Sequence, residues 1–261
     1  MLFVIDVGNT NTVLGVFRGD QMVEHWRIQT HHGRTSDEHG IMLRELFQFS
    51  GLDADAIDHA IISCVVPPME RAVIKMVEDY FQLEPLIVGQ NITPGMPVLY
   101  ENPKEVGADR LVNAIAAWET YQTSLVVVDF GTATTFDAIT SDGAYQGGAI
   151  APGITISSEA LFHHASRLPR VDMGRPRSVI GQTTVESIQS GLLYGYTGLV
   201  REIVDRMKDE LGQTTKVCAT GGLAEFIASE TDVIDSVDEF LTLEGLRLIA
   251  LEGKGSREAG G

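Results

Sequence analysis

Two stretches of this chain repeat one pattern of apolar and polar positions. In residues 2–17, read L-F-V-I-D-V-G-N-T-N-T-V-L-G-V-F, an apolar run leads into Asp6, a polar cluster follows, and a second apolar run begins at Val13. Short apolar runs broken by Gly, Asn and Thr predict two buried strands joined by a turn. Residues 125–139, L-V-V-V-D-F-G-T-A-T-T-F-D-A-I, repeat the arrangement: an apolar strand ends in Asp129, then come Gly131, Thr132, Thr134 and Thr135, and the apolar run resumes. Asp6 and Asp129 occupy equivalent places about half the chain apart. The repetition predicts two related halves, each opening on the same strand-turn-strand.

The pattern between and beyond these turns predicts the other elements. Residues 1–30 read as three antiparallel strands, with Arg18-Gly19-Asp20 as the second turn. Ser36 is placed to cap a helix over 37–49, in which Ile41, Leu43, Leu46 and Phe47 share a face. A buried strand over 58–66 precedes a helix opened by Pro67-Pro68, then a short strand over 86–88 and a loop over 89–100. An alanine-rich helix spans 111–121. Strands follow near 124–129, 133–140 and 143–150, and the small residues 147–153 feed a helix from about Ile154. The basic segment 167–177 reads as a surface loop or a lid.

Thr183 and Thr184 open a long helix to about Leu211, whose Tyr194, Gly195 and Gly198 predict a face meeting another helix closely. A strand over 215–219, the Thr220-Gly221-Gly222-Leu223 turn with a helix to 229, a last helix over 241–252 and a frayed tail over 253–261 complete the expectation. The order mixes antiparallel and parallel strands with crossover helices, an α/β class with domains at 1–112 and 113–261.

The turns have the chemistry to hold something. Gly8 and Gly131 let backbone come close, Asn9, Thr10, Thr12 and Thr132 offer short polar arms and amides, and each Asp supplies a carboxylate at a strand end. That set suits phosphate and a hydrated metal; equally, Asp6 could cap its own backbone in an ordinary hairpin. No Rossmann glycine fingerprint follows either strand and no Walker lysine is present. Asp109 and Arg110 stand at a helix start, where a carboxylate is favoured and an arginine is not. Arg110 therefore either pairs with an acid or presents its fork to an anionic ligand. The His31-His32 pair lacks companions at metal-ligand spacing and reads as solvent-exposed.

Charge narrows the partners. A formal net charge of −17, from 36 acidic against 19 basic residues, argues against nucleic acid or an anionic membrane as the main partner. An anionic substrate remains open, with a divalent ion as the natural bridge. Cys64 and Cys218 read as buried reduced thiols, and no signal peptide or membrane span is expected, so the expected location is cytoplasmic.

Five motifs in order, D-V-G-N-T at 6–10, G-A-D-R at 107–110, D-F-G-T-A-T-T at 129–135, G-G-A-I-A-P-G at 147–153 and T-T-V-E-S-I-Q-S-G at 183–191, resemble the type III pantothenate kinases. These belong to the acetate kinase, sugar kinase, Hsp70 and actin superfamily. The resemblance implies duplicated ribonuclease H-like (actin-like ATPase) domains, with mixed five-stranded sheets flanked by helices around a cleft. It implies ATP-dependent phosphorylation of the primary hydroxyl of pantothenate, the first step of coenzyme A biosynthesis, by a homodimer using a divalent cation such as Mg2+ and a monovalent one, K+ or NH4+. Carried over, Asp6 serves metal and nucleotide phosphates, Gly8, Asn9 and Thr10 form the first phosphate loop, and Gly131 and Thr132 the second. Asp109 is the base, and Tyr100, Gly107 and Arg110 contact pantothenate. Asp129 ligates the monovalent cation, Thr184 reaches pantothenate from the partner subunit, and Gly221-Gly222 borders the adenosine. With no lysine in the first turn, such loops depend on cations. Another small-molecule kinase of the superfamily, or a non-catalytic nucleotide-binding regulator, is the alternative.

Overall fold

The first apolar run and its successor form β1 (Leu2–Val7) and β2 (Asn11–Arg18), and β3 (Gln21–Gln29) completes an antiparallel meander. The structure, a computed structural model, describes residues 1–258, with side chains through Gly253. α1 (Ser36–Phe49) leads to β4 (His59–Cys64), then α2 (Pro67–Phe81) and β5 (Leu86–Ile87), both strands parallel to β1. The cap of α1 is Thr35, not Ser36. Glu38 stands three residues after Thr35, so the Glu38 amide donates to the Thr35 hydroxyl at 3.2 Å and the Thr35 amide to the Glu38 carboxylate at 2.7 Å. α3 (Ala108–Tyr121) follows.

One face of this sheet makes a core with α1 and α2: Phe3, Ile5, Val7 and Ile62 meet Leu43, Phe47, Val73, Val77 and Phe81. Alternation along β1 therefore sends Val4 and Asp6 to the opposite face. The Phe3 and Phe47 rings meet edge-on, centroids 5.4 Å apart. Each such side chain withdrawn from water stabilises the fold by roughly 1.5–3 kcal/mol.

The second meander is β6 (Leu125–Phe130), β7 (Ala133–Ile139) and β8 (Tyr145–Pro152). α4 (Ile154–His164), α5 (Thr184–Leu211), β9 (Lys216–Thr220), α6 (Ala224–Ala228) and β10 (Ser236–Val237) follow. The sheets run β3-β2-β1-β4-β5 and β10-β9-β6-β7-β8, so β6 to β10 repeat β1 to β5 in order and direction. These are the duplicated, mixed five-stranded sheets of the ribonuclease H-like, actin-like fold. β10 escaped the sequence pattern because two residues carry no period.

α7 (Leu241–Glu258) runs past the expected end at 252 and takes in part of the expected tail; residues 259–261 lie outside those described. It packs on β1, β2 and β4, burying Leu243, Leu246, Ile249 and Ala250. One compact unit accordingly comprises Met1–Met96, Asn102–Ala116 and the residues from Leu241 on, and the other Pro97–Glu101 and Ala117–Phe240. A single cut at 112/113 does not describe this division, because the last helix has its apolar stripe on the first sheet.

α5 is one helix whose buried stripe is Ile188, Leu192, Leu193, Tyr196, Val200 and Val204. Its other face differs from expectation: Gly191, Gly195 and Gly198 have no atom within 4 Å of where a Cβ would stand, and Tyr194 is exposed. Cys218 is buried and Cys64 only half-buried, both free. Burial is the main cause holding both thiols above their ordinary pKa.

Candidate active-site loops

In the first unit, β1 delivers Asp6 to its carboxyl end, in register with Val13 of β2 and Ser63 of β4. The turn beyond it is tied by backbone and hydroxyls. The Gly8 amide donates to the Asn11 carbonyl at 3.0 Å, the Thr30 hydroxyl to the Gly8 carbonyl at 2.7 Å, and the Thr30 amide to the Thr10 carbonyl at 2.9 Å. Thr12 and Thr30 share a buried hydroxyl contact of 3.0 Å. Asn9 and Thr10 stay exposed at the tip of a fixed turn. The loop thus brings Asp6, Gly8, Asn9 and Thr10 together.

The same unit places Gly107, Asp109 and Arg110 at the start of α3. The Arg110 amide donates to Asp109 Oδ1 at 2.9 Å, and the Leu111 amide closes the first turn on the Gly107 carbonyl at 3.3 Å. Burial pushes the Asp109 carboxyl above the usual carboxylate range, against the opposing pull of that amide and of the Arg110 charge. Arg110 itself is only 8% exposed. A desolvated carboxylate beside a buried guanidinium can accept a proton and hold an anion.

In the second unit, β6 delivers Asp129, in register with Thr135 and Thr220. Two glycines allow the loop after it to close. Gly221 has φ +93, and a Cβ there would stand 2.5 Å from Asp129 Oδ1 and 2.7 Å from the Phe130 carbonyl carbon. Gly153, the residue before α4, lies against Gly131 and Thr132: a Cβ would stand 2.8 Å from the Gly131 oxygen, with the Thr132 oxygen nearer still. Asp129, Gly131, Thr132, Gly221 and, beside it, Gly222 therefore form one cluster. Gly153 was not among the expected site residues. Its signal was the run of small residues over 147–153.

Tyr100 belongs to this unit because Leu99 donates to the Tyr145 carbonyl and Tyr145 to that of Pro97, each at 2.8 Å, adding a short piece of chain to β8. Its ring lies 6.5 Å from that of Tyr145, whose hydroxyl donates at 2.7 Å to the buried Asp137. Thr184 is the first residue of α5 and exposed. The cap is Thr183, whose hydroxyl accepts from the Glu186 amide at 3.2 Å, so capping does not use the Thr184 hydroxyl. The basic segment is irregular, with three of its four arginines paired to their own unit: Arg170 with Glu159 at 2.7 Å, Arg175 with Glu230 at 2.8 Å and Arg177 with Glu186 at 2.5 Å. His31 and His32 are exposed, as expected.

Among the described residues no cluster of three or more His, Cys, Asp or Glu forms a ready-made metal cage. Mg2+ does not need one: it keeps waters and is held by one or two carboxylates together with substrate phosphates. Asp6 beside the exposed, polar tip of its turn fits that manner of binding.

Two sheets of like order, each with an acid near the end of its central strand before a tight polar turn, define the actin-like fold class. The fold is shared with a Baf family protein of Campylobacter jejuni (TM-score 0.61, 19% identity, covering 97% of this chain and 99% of that one). It is shared also with MreB5 of Spiroplasma citri bound to ADP (TM-score 0.52, 12% identity, 98% of each chain). The family model for type III pantothenate kinase matches residues 2–206, and the type III pantothenate kinase of Anaeromyxobacter sp. (strain Fw109-5) is 58% identical over 95% of this chain and 98% of its own. The chain belongs to the type III pantothenate kinase family. It is an enzyme with that family's activity, an ATP-dependent phosphorylation that opens coenzyme A biosynthesis.

Proposed function

We propose that Asp109 is the general base that takes the proton of the primary hydroxyl of pantothenate as the γ-phosphoryl of ATP is transferred. The hydroxyl oxygen bonds to the γ-phosphorus, the bond to the bridging oxygen of ADP breaks, and the proton passes to the Asp109 carboxylate. The observation that carries this reading is the desolvated Asp109 carboxyl at the start of α3, its pKa raised by burial and so closer to working pH. Arg110, buried next to it, receives the pantothenate carboxylate, with Gly107 and Tyr100 lining the same substrate.

Asp6 with Gly8, Asn9 and Thr10 grips the nucleotide phosphates from the first loop, and Gly131 with Thr132 from the second. Gly221 and Gly222 border the adenosine. A divalent cation on Asp6 supplies charge neutralisation for the transferred group, and Asp129 holds a monovalent cation, K+ or NH4+. The enzyme acts as a homodimer in the cytoplasm, with Thr184 reaching the partner's substrate. The open face of α5 at Gly191, Tyr194, Gly195 and Gly198 and the unspent Thr184 hydroxyl support the dimer; the free thiols Cys64 and Cys218 support the location. Among the described residues no helix is long and apolar enough to cross a membrane.

A coupled assay of nucleotide consumption, with pantothenate and then with acetate, glycerol or sugars, tests the reaction; consumption indifferent to pantothenate overturns it. Light scattering of the wild type and Gly195→Leu tests the dimer. A halved mass together with a raised KM for pantothenate is expected, and a monomeric wild type overturns it.

A further inference from the structure

We infer that Ser63 is a positioning residue of the first phosphate loop, holding the water shell of the divalent cation that Asp6 serves. Ser63 lies on β4, in register with Asp6 on the parallel β1, and side chains in register on parallel strands point to the same face. That face is opposite the α1 and α2 core, which takes Ile5, Val7 and Ile62 from the neighbouring positions. The residue is 0% exposed, and among the described residues its hydroxyl has no hydrogen-bond partner. A buried hydroxyl left so costs stability, and a backbone carrying alanine at this position would avoid the cost. The Ile62 carbonyl beside it accepts from the Val88 amide at 3.0 Å, and α7, packed on β1 and β4, helps to keep bulk water from this face.

The duplication supplies an independent second instance. Asp129 is in register with Thr220 on the parallel β9, and Thr220 is 2% exposed. Both halves therefore set a buried hydroxyl beside the acid, on the same neighbouring strand, although the flanking residues differ: Ile62 and Cys64 around Ser63, Ala219 and Gly221 around Thr220. A hydroxyl that accepts from one cation-bound water and donates to a carboxylate or phosphate oxygen suits this place; an alkyl group does not. The inference rests on the proposed role of Asp6, so its test must separate the two.

Calorimetric affinity for ADP is measured with Mg2+ and with the metal removed by chelation, alongside the melting temperature without ligand, for wild type, Ser63→Ala, Ser63→Cys and Asp6→Asn. Ser63→Ala and the nearly isosteric Ser63→Cys are expected to bind Mg·ADP about tenfold more weakly, to bind metal-free ADP as the wild type does, and to melt no lower than it. Unchanged Mg·ADP affinity in Ser63→Ala overturns the inference. So does a lower melting temperature with both affinities falling together, which marks a structural hydroxyl. Asp6→Asn is expected to lose the metal-dependent part of binding; if it keeps that part, the role given to Asp6 fails, whatever the Ser63 variants do.

Discussion

Replacing Gly153 by alanine tests whether the loop proposed to grip phosphate from the second unit is set by the start of α4. The added Cβ would stand 2.8 Å from the Gly131 oxygen and nearer to that of Thr132, where ordinary contact begins at 3.4 Å. Both neighbours are backbone, so no flexible side chain can swing aside. Either α4 withdraws or the Gly131–Thr132 turn is pushed out, by roughly 1 Å. Overpacking of this kind costs about 1–3 kcal/mol, a fall in Tm of several degrees. If the turn grips phosphate as proposed, a displacement of about 1 Å lowers turnover roughly a hundredfold. The assay is kcat and the KM for ATP by coupled nucleotide consumption, with Tm measured on the same preparations. Gly33→Ala is the control: Gly33 is exposed and a Cβ there meets nothing within 4 Å, so both numbers should stay at wild type. If Gly153→Ala keeps wild-type turnover and Tm, the contact does not set the loop and the reasoning fails.

Asp109→Asn should lower turnover by about a hundredfold or more while nucleotide still binds. Burial raises this carboxyl's pKa, so at neutral pH the folded state carries a charge it would rather protonate; the Asn variant should therefore melt at the same temperature or higher, and a clear destabilisation would contradict that sign. Arg110→Lys should raise the KM for pantothenate far more than that for ATP, since an ammonium cannot replace the fork; equal changes would count against carboxylate recognition. Turnover in sodium against potassium or ammonium at matched ionic strength tests Asp129, and identical rates would remove the monovalent site. His39, buried in α1, is held down to about 4 by burial and then by the charge of Arg34. Its stabilising contribution is whole above the ordinary imidazole value of 6.5 and is lost as pH falls from there towards 4; His39→Leu should flatten that part of the stability curve, on the order of 3 kcal/mol by denaturant titration.

The parts of this fold legible in the sequence are those whose signal is local and repeated. Asp6 and Asp129 each end an apolar run before a glycine turn, and the register confirms that they occupy matching positions, paired to Val13 and Thr135 on one side and to Ser63 and Thr220 on the other. The Asp109 position at a helix start was legible from the G-A-D-R run. What was not legible depends on distant partners. The apolar stripe of α7 says that it packs, but not that it packs on β1, β2 and β4. The α5 glycines look like packing notches whether or not the same chain fills them. The hydroxyl of Thr35 rather than Ser36 caps α1 because Glu38 reaches it, a one-residue choice that composition alone leaves open.

The placing of α7 has a consequence for synthesis. Translation runs from the amino end, so the sheet made first waits with one side uncovered until the final helix has left the ribosome, whereas the 117–240 segment can close its own core sooner. The earliest-made strands, Asp6 among them, thus become the last to be sheltered, and a chain cut short before Leu241 would present the bare apolar flank of β1, β2 and β4 to whatever lies nearby.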